Sequence, residues 1–154
     1  MKKTPLKIKE ALYKQCLDAV NGRFQSIQNT INEIQVSLTS ETKSSAGDKH
    51  ETGRAMLQLE REKAGNQLAE IQKTKGILSK IDSSKALKKV GLGSVVYTSQ
   101  ANYFIAISAG KLTVDHVEFY AISPSTPIGQ LLIGKSIGEV IVFRGQKFVI
   151  NQIS

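Results

Sequence analysis

The stretch Ile122–Ile141 reads ISPSTPIGQLLIGKSIGEVI. Inside it GQLLIGKS, Gly129–Ser136, fits G-x-x-x-x-G-K-[ST], the phosphate-cradling loop of nucleotide hydrolases. Such a loop needs a buried strand before it, small flexible residues within it and a helix after it, so that bare amides and a helix N-terminus meet the phosphates. Here the match follows SPSTP, where Pro124 and Pro127 lack the donors a central strand requires. Leu131, Leu132 and Ile133 are bulky and apolar, suited to packing rather than to baring backbone. Ser136 is followed by IGEVIVF, a turn and a strand, and only 18 residues remain. That is too short for the parallel sheet such enzymes build. TPIGQLLIG is instead a short helix: Thr126 caps it, Pro127 takes the first helical position, and Gly134 suits the exit.

Around this insert the apolar period is two. SVVYTS, NYFIAIS, KLTV, VEFYAI, EVIVF and KFVINQI read as strands divided by GLG, QAN, AG, DH and RGQ. The spacing of Tyr97, Tyr103, Phe104, Phe119, Tyr120, Phe143 and Phe148 along them points to core and sheet surface rather than to a ligand pocket. A twisted antiparallel sheet with one short helix is expected. DSSKALKK, Asp82–Lys89, reads as a linker, with Lys80, Lys85, Lys88 and Lys89 clustered around it.

The period before the linker is helical. Leu12, Cys16, Val20, Phe24, Ile27, Ile31, Ile34 and Leu38 are three or four residues apart throughout. From Leu12 to Leu38 such a helix rises about 39 Å. The pattern stops at TSETKSSAGD and resumes from about Asp48 to Ile81, with Leu57, Ala64, Leu68, Ile71 and Leu78 on its seam. Arg61 and Lys75 interrupt that seam and weaken it at their levels. Two long helices joined by a short polar turn bury their stripes by packing antiparallel. The whole is an α+β chain: a coiled-coil hairpin over residues 1–82 with its tip near 41–51, a linker over 83–89, and a β domain over 90–154.

Composition narrows the class. No apolar run approaches the roughly 20 residues that span a bilayer. MKKTPLKIK lacks the apolar core of a signal peptide, so a cytoplasmic protein without membrane contact is expected. Cys16 is the lone cysteine, on the helical stripe, which excludes an internal disulfide and a cysteine-rich zinc site. Residues 1–90 carry 17 Lys and Arg against 10 Asp and Glu, and residues 91–154 carry 4 against 3. An excess of that kind favours polyanionic or acidic partners.

With these parts in order, Ile122–Ile141 resembles the C-terminal domain of bacterial Gre transcript-cleavage factors, where S-P-I-[AG]-x-x-[LI]-[LI]-G-K-x-x-G-[DE] lies between two strands of an FKBP-like fold. The matching positions include Ile122, Ser123, Pro127, Ile128, Leu132, Gly134, Lys135, Gly138 and Glu139. Those factors also carry G-D-x-x-E-N-A-E-Y at the start of the second helix. GDKHETGRA supplies Gly47, Asp48 and Glu51, then departs with Thr52, Gly53, Arg54 and Ala55.

The resemblance implies a monomeric accessory factor of RNA polymerase rather than an enzyme. It implies that the coiled coil enters the polymerase secondary channel while the β domain docks at its rim. It further implies that Asp48 and Glu51 help hold a second Mg²⁺ of the polymerase active site, with no cofactor of the chain's own. Basic residues near the tip, Lys43, Lys49 or Arg54, would then meet the displaced RNA 3′ segment through its phosphates.

Other readings stand beside this one. Asp48-x-x-Glu51 is also a capping box. His50 between the acids is incidental on an exposed tip, and His116 falls at a turn. A channel-occupying regulator that binds without supporting cleavage fits the altered TGRA. A prolyl isomerase needs a deep aromatic cup, commonly floored by Trp, and the chain has no Trp. A helical arm that binds nucleic acid directly would show steep salt dependence.

Overall fold

The computed structural model describes the backbone of residues 3–43 and 47–154, and the side chains of these apart from 41–43 and 47–50. The first helix, α1, spans Pro5–Lys43. Its start is set by a Thr-Pro pair. Pro5 gives up an amide the first turn cannot use, the Lys7 amide donates to Thr4 Oγ1 at 3.3 Å, and the Ile8 amide donates to Thr4 O at 2.9 Å. The second helix, α2, spans Gly47–Ser79 and tightens at its end, where Lys80 N donates to Ile77 O and Ile81 N to Leu78 O, both at 3.1 Å.

The chain forms two compact units, Met1–Ala19 with Gly76–Ser154, and Val20–Lys75. In the Val20–Lys75 unit the seam expected from the three-and-four spacing is the buried one. Ile31, Ile34, Leu38 and Ala64 form its core, with Ile27, Leu57 and Leu68 packed against them. Each large apolar side chain so buried is worth about 1.5–3 kcal/mol. Lys75 does not leave a gap at its seam level: its Nζ lies 4.6 Å from the Phe24 ring centroid. Lys75→Gln is expected to cost about 1 kcal/mol, the value of a partly desolvated cation–π contact. It should appear as a lower urea midpoint at unchanged slope.

The other unit holds a six-stranded sheet: β1 Val95–Thr98, β2 Asn102–Ile105, β3 Gly110–Val114, β4 Val117–Ile122, β5 Val140–Phe143 and β6 Gln146–Ile153. The order is β3-β4-β2-β1-β6-β5. The one helix of the β region, α3, spans Pro127–Leu132 between β4 and β5. The expected α+β architecture is what is found, with one correction. The sheet is mixed, because β2 and β4 pair parallel through Tyr103–Tyr120, Phe104–Ala121 and Ile105–Ile122.

A parallel pair needs a crossover, and here β3 is the crossover. Residues 106–109 carry the chain from β2 past the position of β4, about 10 Å at the usual strand spacing. The Ala106 and Ala109 amides donate to Ile122 O and Ala121 O at 2.8 and 3.2 Å. β4 then returns between β2 and β3.

Two hairpins carry the left-handed residues that tight turns demand. Asp115 and His116 stand at φ 52° and 66°, and Arg144 and Gly145 at 52° and 78°. Val95 and Val96 are both fully buried, so the sheet centre is covered on both faces. One face holds Val96, Ile105, Leu132, Ile141, Phe148 and Ile150. On the other, Val95 is registered with Phe104, and Tyr97 meets Phe119 edge-to-face at 5.7 Å between centroids. The first turns of α1 are tied to the β3–β4 hairpin: Gln15 Nε2 donates to Thr113 O and Lys3 N to Asp115 Oδ2, each at 3.0 Å. Cys16 is fully buried, and burial pushes its thiol up to about 11, so it packs as a small apolar side chain.

Candidate functional site

The loop entering α3 is built from side chains that satisfy backbone. Thr126 is extended, at φ −68° and ψ 156°, and its Oγ1 accepts from Gly129 N at 3.1 Å. The same hydroxyl donates to Ser123 O at 2.8 Å, and the Thr126 amide donates to that oxygen at 3.1 Å. Ser123 Oγ in turn accepts from the Ser125 amide at 3.2 Å. A Cβ on Gly129 would fall on Ser123 O well inside contact distance and 2.8 Å from Thr126 Oγ1. Glycine is therefore required where helix and loop touch.

The GQLLIGKS string has no amides to offer a phosphate. Ile133 N donates to Gly129 O at 3.0 Å, Gly134 N to Val90 O at 2.8 Å, and Lys135 N to Leu132 O at 3.1 Å. Ser136 N is held by Glu139 Oε2 at 2.6 Å. Leu132, inside the string, is fully buried in the core. The match begins within α3 and ends in the turn before β5, the reverse of the strand–loop–helix order that phosphate cradles use. Gly134 and Gly138, at φ 82° and 91°, make the turns that return the chain to the sheet.

The second candidate lies at the start of α2. Asp48 and Glu51 are three residues apart within its first turns, a spacing that shares one helix face. Glu51 is exposed. The side chains of Asp48, Lys43, Lys49 and His50 lie outside the described residues. Arg54 is half-buried and already engaged in an interaction. Among the described residues no three or more His, Cys, Asp or Glu come together as a metal site. Two carboxylates on one turn supply only part of the shell of a hard cation, which takes about six oxygens or more. Among the described residues no helix is long and apolar enough to cross a membrane.

Two features were missed in the reading of motif and period. A groove of about 540 Å³ in the Val20–Lys75 unit is floored by Ile27 and Ile71 and flanked by Arg23, Lys63, Asn66 and Gln67. It includes neither Asp48 nor Glu51. The other is Lys9, only 1% exposed, whose Nζ donates to Lys85 O at 2.6 Å. Burial lowers its pKa, and the nearby Asp82 charge opposes that shift. Lys9 stands three residues before Leu12 and so continues the α1 stripe, the signal that would have revealed it.

No family model and no curated protein matches the chain. Among solved structures it is similar to the GreA factor homolog 1 (Gfh1) protein of Thermus thermophilus, at 19% identity and a TM-score of 0.35, covering 92% of this chain and 94% of that one. It is also similar to a structure of the transcription factor Gfh1, at 19% identity and a TM-score of 0.34, covering 85% of this chain and 92% of that one. A likeness of this strength leaves function to the chain's own residues.

Proposed function

We propose that the protein is a Gre-like transcription elongation factor that acts on RNA polymerase in the cytoplasm. In this reading residues 1–82 form a coiled coil that enters the secondary channel, 83–89 link, and 90–154 dock at the rim. The observation that carries it is the Ile122–Ile141 motif, placed between two strands and following a helical hairpin in chain order.

Asp48 and Glu51 are the residues that would share a Mg²⁺ with the polymerase. Two hard carboxylates on one helix face suit such a cation, and the exposed Glu51 is free of the core. When bound, the ion supplies charge neutralisation at the scissile phosphate and activates water. The chain's part is to carry oxygen donors to a site that lacks them and to orient them. It has no catalysis of its own in this scheme. The nascent RNA 3′ segment is the second partner, met through its phosphates.

A second reading is favoured by one observation. Thr52, Gly53, Arg54 and Ala55 replace the Asn, Ala, Glu and Tyr of the family motif directly after Glu51. That change fits a channel occupant that regulates polymerase without promoting cleavage.

One assay separates the two. The chain is added to a halted, backtracked complex, and transcript shortening is followed in time. The first reading expects faster cleavage, with stimulation lost in Asp48→Ser/Glu51→Gln while far-UV circular dichroism stays unchanged. The second expects the wild-type chain to slow rescue by a true cleavage factor. Failure to retain core polymerase in a pull-down rejects both.

A further inference from the structure

The two outer strands of the sheet, β3 and β5, differ in how their edges are guarded. An outer strand offers unpaired amides and carbonyls to any other strand, and folded proteins blunt such edges with charge or cover. β3 has both. Lys111 lies on it in an ion pair with Glu118 of β4 at 3.3 Å, and Gln15 Nε2 donates to Thr113 O at 3.0 Å. β5 has neither. It reads Val140-Ile141-Val142-Phe143, with no charged residue and no proline. Among the described residues no backbone hydrogen bond from outside the sheet reaches Val140 or Val142.

The backbone of β5 faces two ways. Arg144 and Gly145 make a two-residue turn, so Phe143 and Gln146 are the hydrogen-bonded pair that closes the hairpin. At the other end Ile150 N donates to Glu139 O at 3.0 Å. By the alternation of an antiparallel ladder, Ile141 also bonds inward to β6, and the N–H and C=O of Val140 and Val142 point outward. The side chains of these two valines share one face, and each is 54% exposed. Val149, opposite Val140 on β6, is exposed too, whereas Ile141 lies on the other face in the core.

We propose that two copies of this chain join through β5, edge to edge and antiparallel, as one continuous sheet about a twofold axis. The strand is complementary to itself in one register. With Ile141 of each copy on the axis, Val140 of one copy opposes Val142 of the other. Both become hydrogen-bonded pairs, so every outward N–H and C=O of the two valines is used, and their apolar side chains meet on one face. A shift of two residues sets Val142 against itself and Val140 against Arg144 in the turn. The opposite shift sets Val140 against itself and Val142 against Gly138. Charge fits the same register. Glu139 of one copy comes opposite Phe143 of the other, and the Arg144 guanidinium carbon stands 5.0 Å from the centre of its own Phe143 ring. A carboxylate thus meets a guanidinium at both ends of the seam. Residues 91–154 carry four Lys and Arg against three Asp and Glu, so the β regions meet with little repulsion. A four-residue strand makes a small contact, and the association is weak and reversible. It departs from the monomer that the Gre resemblance implies, and it needs no polymerase, so it stands apart from the transcription reading.

The test is sedimentation equilibrium of the full chain from about 10 µM to about 1 mM, a range that covers weak affinities. The mass is expected to rise from one chain towards two. Val142→Pro removes an outward N–H and no bond to β6, at an edge position that tolerates proline. Two hydrogen bonds are lost per dimer, so the dissociation constant should rise about thirtyfold. If that variant does not fold by circular dichroism, Val140→Lys/Val142→Lys, which sets ammonium groups opposite one another at exposed sites, should stay monomeric throughout. Cross-linking reads the register. Mixed Val140→Cys and Val142→Cys chains should form a disulfide dimer on mild oxidation, because the opposed Cα atoms stand about 5.5 Å apart. Either chain alone should not, since like positions lie diagonally across the axis. The native Cys16 is buried and does not compete. A chain that stays monomeric at the highest concentration overturns the proposal. So does an unchanged dissociation constant in the edge variants, and so does self-linking of Val142→Cys as fast as that of the mixture.

Discussion

Replacing Phe119 with alanine is expected to remove about 4 kcal/mol of stability, the cost of emptying a fully packed aromatic site. Phe119 has 0% exposure and sits on β4, between β3 and β2. Its ring meets Tyr97 of β1 edge-to-face at 5.7 Å. The loss therefore reaches two strands away, and part of it is the aromatic pair itself, about 1 kcal/mol. Urea unfolding of the full chain, followed by tyrosine near-ultraviolet dichroism, measures it. A change below about 1 kcal/mol would mean that this face of the sheet is not closed as described.

Gly129→Ala is expected to cost about 3 kcal/mol, although alanine favours helices over glycine. The added methyl meets Ser123 O and Thr126 Oγ1, the groups that fasten the loop to the helix start. Moving Ser123 O loosens the bonds from the Thr126 amide and hydroxyl. Moving Thr126 loses the cap on Gly129 N, worth about 1 kcal/mol. Overpacking accounts for the remainder, about 1–3 kcal/mol. Gly22→Ala makes the contrast, since nothing lies within 4 Å of its would-be methyl. That substitution should stabilise α1 slightly. Equal effects at the two positions would reject the steric account of Gly129.

What could be read in the sequence was what is local. Asp115–His116 and Arg144–Gly145 turn the chain within two residues, and residues near a turn show it by type. Thr126-Pro127 fixes a helix start in the same way, whereas the Thr4-Pro5 start of α1 lies ahead of the first stripe residue, Leu12, and was not read from the period. The parallel pairing of β2 with β4 has no such signature. Alternation is the same in parallel and antiparallel strands of a half-buried sheet, and which neighbour is chosen depends on a connection that skips one place. Lys9 escaped for a different reason. A lysine on an apolar stripe reads as its edge, and only the nearby Lys85 carbonyl makes its burial tolerable. For the candidate site, motif supplied Asp48 and Glu51, while period and charge supplied neither. Charge counted along the chain put the excess over residues 1–90, whereas counted by unit it falls in residues 1–19 and 76–90.

The division of the chain also sets an order of assembly. Leu12 and Cys16 are completely enclosed, yet they belong to a unit whose remaining parts begin at Gly76. During synthesis these side chains emerge well before the rest of their unit, which begins only at Gly76. The Val20–Lys75 seam has all its partners far sooner. Nascent chains would thus zip their interior before joining their ends, leaving the early α1 face as the stretch most in need of a chaperone's shelter.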